Sequence, residues 1–127
     1  MTVNEAIRRA NSILPGRAAA DDQEDPRWQA IIAVAEFIQM EPEAIWAFVQ
    51  RWGKNPSKDL RMAIATCLLE HPLDYHFDLV FPRVERLART SKRFAYTFTM
   101  CGKFGQANTS RNAARVDRLR KELRSFS

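Results

Sequence analysis

Three stretches of this chain open alike: Trp28 in DPRWQAIIAVAEF, Leu60 in SKDLRMAIATCLL and Phe94 in SKRFAYTFTMC, separated by 32 and 34 residues. A helix-turn-helix unit of that length cannot bury its apolar face alone and must lean on a neighbouring copy of itself. The spacing therefore predicts a short stack of helices. Four Gly and six Pro in 127 residues are too few for an all-β chain, which needs a turn about every eight to twelve residues, so the expected class is all-α in one domain.

Hydrophobic periodicity places the elements. Val3, Ala6, Ile7, Ala10 and Leu14 line one side of a first helix, with Arg8 and Arg9 opposite and Pro15 and Gly16 ending it. The acidic run at 17–25, containing Asp21, Asp22, Glu24 and Asp25, reads as a solvated linker. Asp25 before Pro26 is a helix start, since an Asp oxygen accepts an orphan N–H and Pro suits the first helical position. The helix at 26–40 is apolar almost all round; only Gln29, Glu36 and Gln39 suit solvent, so it is expected to lie at the centre of the core.

Pro42 then opens a partner helix carrying Ile45, Phe48, Val49 and Trp52, capped by Gly53 and antiparallel to its predecessor because the connection is short. The second unit starts at Ser57 and stripes through Leu60, Ile64, Cys67, Leu68 and His71 until Pro72 breaks it. Its partner, 73–89, carries Pro82 and is expected to kink or break there. The third opens at Ser91, stripes through Phe94, Thr97, Phe98, Cys101 and Phe104, and meets Gly105. A basic helix at 109–127 closes the chain.

The paired openings, each followed by a second amphipathic helix over residues 25–105, resemble HEAT-like or armadillo-like repeats. That resemblance implies a right-handed stack of antiparallel helix pairs, about six or seven helices in all, serving as a scaffold for proteins or nucleic acids. A compact irregular bundle is the competing architecture.

No catalytic signature is present: GxSxG, GxxxxGK[ST] and GxGxxG are all missing from the sequence, and no enzyme activity or cofactor is expected. The segment EHPLDYHFD gathers Glu70, His71, Asp74, His76 and Asp78, but two His five apart across Pro72 do not share a helix face, so no metal site is expected. Cys67 and Cys101 lie inside apolar stripes and are expected to act as small packed hydrophobes rather than as a disulfide or, with His71, a reactive pair. The opening MTVNEAIRRANSIL lacks a secretory apolar run, and no stretch reaches the roughly 20 apolar residues of a membrane span, so cytoplasm is the expected compartment.

Charge is lopsided. Residues 21–56 hold seven acids and three bases, whereas 91–127 hold nine bases and two acids. In the last helix Val116, Leu119, Leu123 and Phe126 form the apolar stripe; Arg111, Arg118 and Lys121 project opposite, flanked by Arg115, Arg120 and Arg124. Three roles follow. A protein-interaction scaffold would use Trp46, which lies off its helix stripe, as an anchor. Sequence-independent nucleic-acid binding would use Lys103, Arg111, Arg115, Arg118, Lys121 and Arg124. A membrane-surface role would lay the last helix on anionic lipid. The first is the leading reading, the second the alternative, and the partner's identity and the oligomeric state are not encoded in these features. The bland counterpart has the basic helix docking on the acidic first unit through rim ion pairs.

Overall fold

The computed structural model describes residues 1–17, 19 and 24–125. Asp21 and Asp22 of the acidic run, and Phe126 of the terminal stripe, lie outside them. Among the described residues every regular element is helical: α1 (Val3–Ile13), α2 (Pro26–Ala35), α3 (Pro42–Trp52), α4 (Lys58–Ile64), a π turn (Ala65–Leu69), α5 (Glu70–Tyr75), α6 (Phe77–Thr90), α7 (Lys92–Thr99), a 3₁₀ turn (Gly105–Asn108) and α8 (Ser110–Arg124).

The repeated openings are repeated caps. Asp25, Ser57 and Ser91 each stand three residues before Trp28, Leu60 and Phe94, and their side chains accept from the N–H of Arg27, Leu60 and Phe94. Each thereby satisfies one of the orphan donors of a helix start. The three helices so begun are neighbours: α4 and its π turn lie between α2 and α7. Ile64, Ala65, Leu68 and Leu69 of this central rod are fully buried.

The second helices do not pair as the short connections suggest. α3 packs mainly on α4 and α1, not along α2, whose principal neighbours are α1 and the central rod. α8 packs on α6 and the 3₁₀ turn, while α6 lies along α7. Two ion pairs tie this outer layer: Arg83 donates to both Glu43 oxygens at 2.7 Å, joining α6 to α3, and Arg89 makes a single bond to Glu122 at 2.7 Å, joining α6 to α8.

Several expected boundaries move for identifiable reasons. α2 stops at Ala35 rather than Met40; the chain winds on through tighter turns, with Phe37 N–H on Val34 C=O and Ile38 N–H on Ala35 C=O. Pro42 disfavours a helical residue before it, and Glu41 leaves the helical region at φ −138°, ψ 58°. Nor is this helix buried all round: Ile32 is 40% exposed and Met40 lies almost wholly in water.

Pro72 does not end the second unit. The π turn just upstream adds one residue to the helical period and advances the buried face from His71, which is exposed, to Leu69, Pro72 and Leu73. It also loosens the ladder where Pro72 has no N–H to give. The break comes instead at His76, at φ −137° and ψ 46°. Gln106 spans it, accepting from Phe77 N–H at 2.9 Å and donating to Tyr75 C=O at 3.0 Å. α6 then continues through Pro82 without a break, because its ring and the Asp78 turn that loses a hydrogen bond both face water. Phe104, expected on the α7 stripe, is exposed beyond the end of that helix.

Arg27 is the one fully buried cation among the described residues. Its guanidinium bridges Asp25 (2.8 Å) at the head of α2 and Asp59 (2.5 Å) at the head of α4. Arg27 holds the Asp25 carboxyl below the usual carboxylate range. A depressed acid pKa contributes stability above the unfolded value and loses it as pH falls through the folded one. Arg27→Met is expected to lose roughly 1–3 kcal/mol at neutral pH, from charge-assisted hydrogen bonds, with half-exposed Asp59 adding little of it. Thermal melts of both proteins from neutral to acid pH test this: the gap between them should close below the Asp25 titration.

Candidate binding surfaces

The basic C-terminal helix is only partly a free face. Val116, Leu119 and Leu123 are buried, so the apolar stripe is spent on the core and is not offered to lipid. Two of the expected phosphate contacts, Arg115 and Lys103, are engaged within the chain, as is the flanking Arg120. Arg115 lays its guanidinium over the rings of Phe77 (5.3 Å) and Phe81 (5.0 Å), with Asp78 at 3.9 Å. Lys103 pairs with Asp117 at 2.8 Å, lowering the Asp117 pKa. Arg120 donates to the Cys101 carbonyl, closing the C-terminal end of α7, and lies 5.7 Å from the Phe98 ring.

Arg111, Arg118 and Lys121 remain exposed and make no ion pair among the described residues, and Arg124 is exposed at the helix end. The helix's described ion pairs reach α6 and the Lys103 segment, not the acidic first unit. Its positive face is thus narrower than its composition suggests.

Trp46 is half-buried. It meets the Phe94 ring edge-on at 6.1 Å and borders a shallow depression with Gln50, Arg83, Arg86, Leu87 and Thr90. Trp46 and the α8 cations belong to different surfaces: no depression bordered by Trp46 includes Arg111, Arg118 or Lys121.

A wider groove, of about 650 Å³, runs between α2 with its following turn and the rod formed by α4, the π turn and α5. Ile32, Ala35 and Ile38 form one wall with Glu36 and Gln39; Thr66, Cys67, His71 and Tyr75 form the other. Ile32 and Tyr75 (45% exposed) leave large apolar surface in water here. Sequence reasoning missed this groove because Ile32 fits a helix buried all round, and because the π turn, invisible in the periodicity, turns Cys67 and His71 outward to line the wall.

Chemically the groove is quiet. Burial pushes the Cys67 thiol up, more than its contact with the Thr66 hydroxyl (3.9 Å) brings it down, and the Glu70 charge adds to the rise. Such a thiol stays protonated, the reverse of an activated nucleophile. Cys101, fully enclosed, is raised much further, also by burial. Both cysteines are free.

Among the described residues no group of three or more His, Cys, Asp or Glu side chains is placed to hold a metal ion, and no helix is long and apolar enough to cross a membrane. Comparison with protein-family models, with curated proteins and with solved structures finds no match.

Proposed function

We propose that this chain is a non-enzymatic helical scaffold that receives an amphipathic helix of another protein in the groove between α2 and the α4–α5 rod, and that its three capped units are degenerate HEAT-like or armadillo-like repeats. The observation carrying the first part is the pair Ile32 and Tyr75, large apolar side chains left half in water on facing walls of one groove. A groove with apolar walls and a few polar groups (Glu36, Gln39, Thr66, His71) at its edge suits a helix presenting apolar anchors every three or four residues. The even placement of Asp25, Ser57 and Ser91 supports the second part. Free thiols at Cys67 and Cys101 accord with a reducing, cytoplasmic setting.

Quantitative capture from native lysate tests the reading, using wild type, Ile32→Asp, Tyr75→Asp, Trp46→Ala and the remote surface variant Glu5→Lys. A specific partner should be retained by wild type and by Glu5→Lys, and its retention should fall roughly 10- to 100-fold with Ile32→Asp, the equivalent of about 1.5–3 kcal/mol for one buried aliphatic side chain. Loss with Trp46→Ala alone moves the contact to the α3–α6 face. Identical retention by every variant removes the scaffold reading.

A further inference from the structure

On the face carrying the exposed side of α7, a single aromatic ring is set among unneutralised cations. Tyr96 is 50% exposed and borders two separate depressions. One, of about 240 Å³, is lined also by Arg89, Thr90 and Lys92; the other, of about 360 Å³, by Lys58, Arg61, Thr99 and Met100. No carboxylate lines either of them.

The state of each cation matters. Arg89 is neutralised by Glu85 (3.3 Å) and Glu122 (2.7 Å), so it shapes its depression without offering free charge. The Arg61 guanidinium is fixed in place by donating to the carbonyls of Asn55 (2.8 Å) and Pro56 (2.9 Å), which leave its charge uncancelled. Lys58 and Lys92 are exposed and have no ion-pair partner among the described residues; the same holds for Arg93 beside Lys92 and for Lys54 in the α3–α4 connection. That connection is fastened to α7, since Thr97 donates to the Gly53 carbonyl at 2.6 Å. Lys54, Lys58 and the α7 cations therefore sit on one rigid platform. The only acid between Gly53 and Ile64, Asp59, is engaged by Arg27.

From this geometry we infer a binding site for single-stranded nucleic acid on α7, in which an unpaired base stacks on Tyr96 and the flanking phosphates are held by Lys92 and Arg93 on one side and by Lys58 and Arg61 on the other. A lone exposed ring between two positive depressions matches the alternation of base and phosphate in a single strand, whereas a duplex hides its base faces. An acidic peptide or an anionic bilayer would use the charge but leave the ring without a role. Leu123 of α8 borders the smaller depression, but no α8 cation and no residue of the α2–α5 groove lines either one, and the site stands or falls independently of the scaffold reading.

The test is fluorescence anisotropy of the full chain with a labelled 20-mer of deoxythymidine, the matching duplex, poly-glutamate, and vesicles containing anionic lipid, at 50 and 200 mM salt. Single strand should bind best. With about four phosphates engaged, its affinity should drop roughly 50-fold between the two salt concentrations. Tyr96→Ala should weaken single-strand binding by roughly 5- to 100-fold through lost stacking, Tyr96→Phe should keep it, and Lys58→Gln with Lys92→Gln should reduce both the affinity and the salt dependence. Arg118→Glu with Lys121→Glu on α8 should leave binding unchanged.

Photo-cross-linking of a bromouracil-substituted strand to wild type, read by peptide mapping, guards against misfolded variants; the adduct belongs on the peptide containing Tyr96. The inference is overturned by undetectable single-strand binding at 50 mM salt, by equal binding to duplex, poly-glutamate or vesicles, or by dependence on Arg118 and Lys121 in place of Tyr96.

Discussion

Phe81→Ala is expected to cost about 3–5 kcal/mol, the usual range for emptying a buried Phe site. For a chain of this size that is a fall in melting temperature of roughly 10–20 °C. Phe81 is stacked on Phe77 at 4.8 Å, tilted against Phe98 at 6.4 Å, and roofed by the Arg115 guanidinium, so one ring joins α6, α7 and α8. Removing it opens a hole lined by three elements. Chemical and thermal denaturation should show the loss with one cooperative transition retained. A change below about 1 kcal/mol, the size of a surface substitution, would mean that these aromatic contacts do not hold the C-terminal half together.

Gly53→Ala should come next, at about 1–3 kcal/mol, the range for overpacking a filled site. Gly53 ends α3 in ordinary right-handed helical backbone, φ −67°, so the left-handed freedom expected of a capping glycine is not what the position uses. Its requirement is space: a Cβ here would stand 2.7 Å from the Val49 carbonyl oxygen and 2.9 Å from the Phe94 ring. The Thr97 hydroxyl also bonds the Gly53 carbonyl, so any retreat of the backbone strains that bond too. Phe94→Leu in the same chain should recover part of the loss, because it removes one of the two obstructing groups. A double-mutant cycle on melts measures it; strictly additive effects would place the clash on Val49 alone.

What the sequence disclosed followed local chemistry. The caps at Asp25, Ser57 and Ser91, Pro at the heads of α2 and α3, and the stripes Ile45/Phe48/Val49/Trp52 and Val116/Leu119/Leu123 were all legible, since each depends on residues within a turn or two. What stayed hidden was set by groups far away in the chain. Gln106 settles where the α5–α6 break falls by satisfying backbone 29 residues away at Phe77. Arg115, Arg120 and Lys103 read as free cations, yet aromatic faces, a carbonyl and Asp117 claim them. Trp46 carries a local signal, lying off its helix stripe, whereas the setting of Tyr96 is two depressions formed with residues far away in the chain, Leu123 on one side and Lys58 and Arg61 on the other.

The π turn leaves a mark on how this chain tolerates changes of length. A helix with one surplus residue is two rods joined out of phase: α4, with Leu60 and Ile64, packs on α2 and α7, whereas α5, with Leu73, packs on α6 and the 3₁₀ turn. Excising Thr66 would bring the halves back into phase, and the downstream segment would have to swing through about 100° to keep its greasy side indoors, one residue's share of a helical turn. The surplus residue therefore works like a vernier between two halves of the molecule, and chains built on this plan can trade residues at the 36–40 turn far more freely than within 65–69.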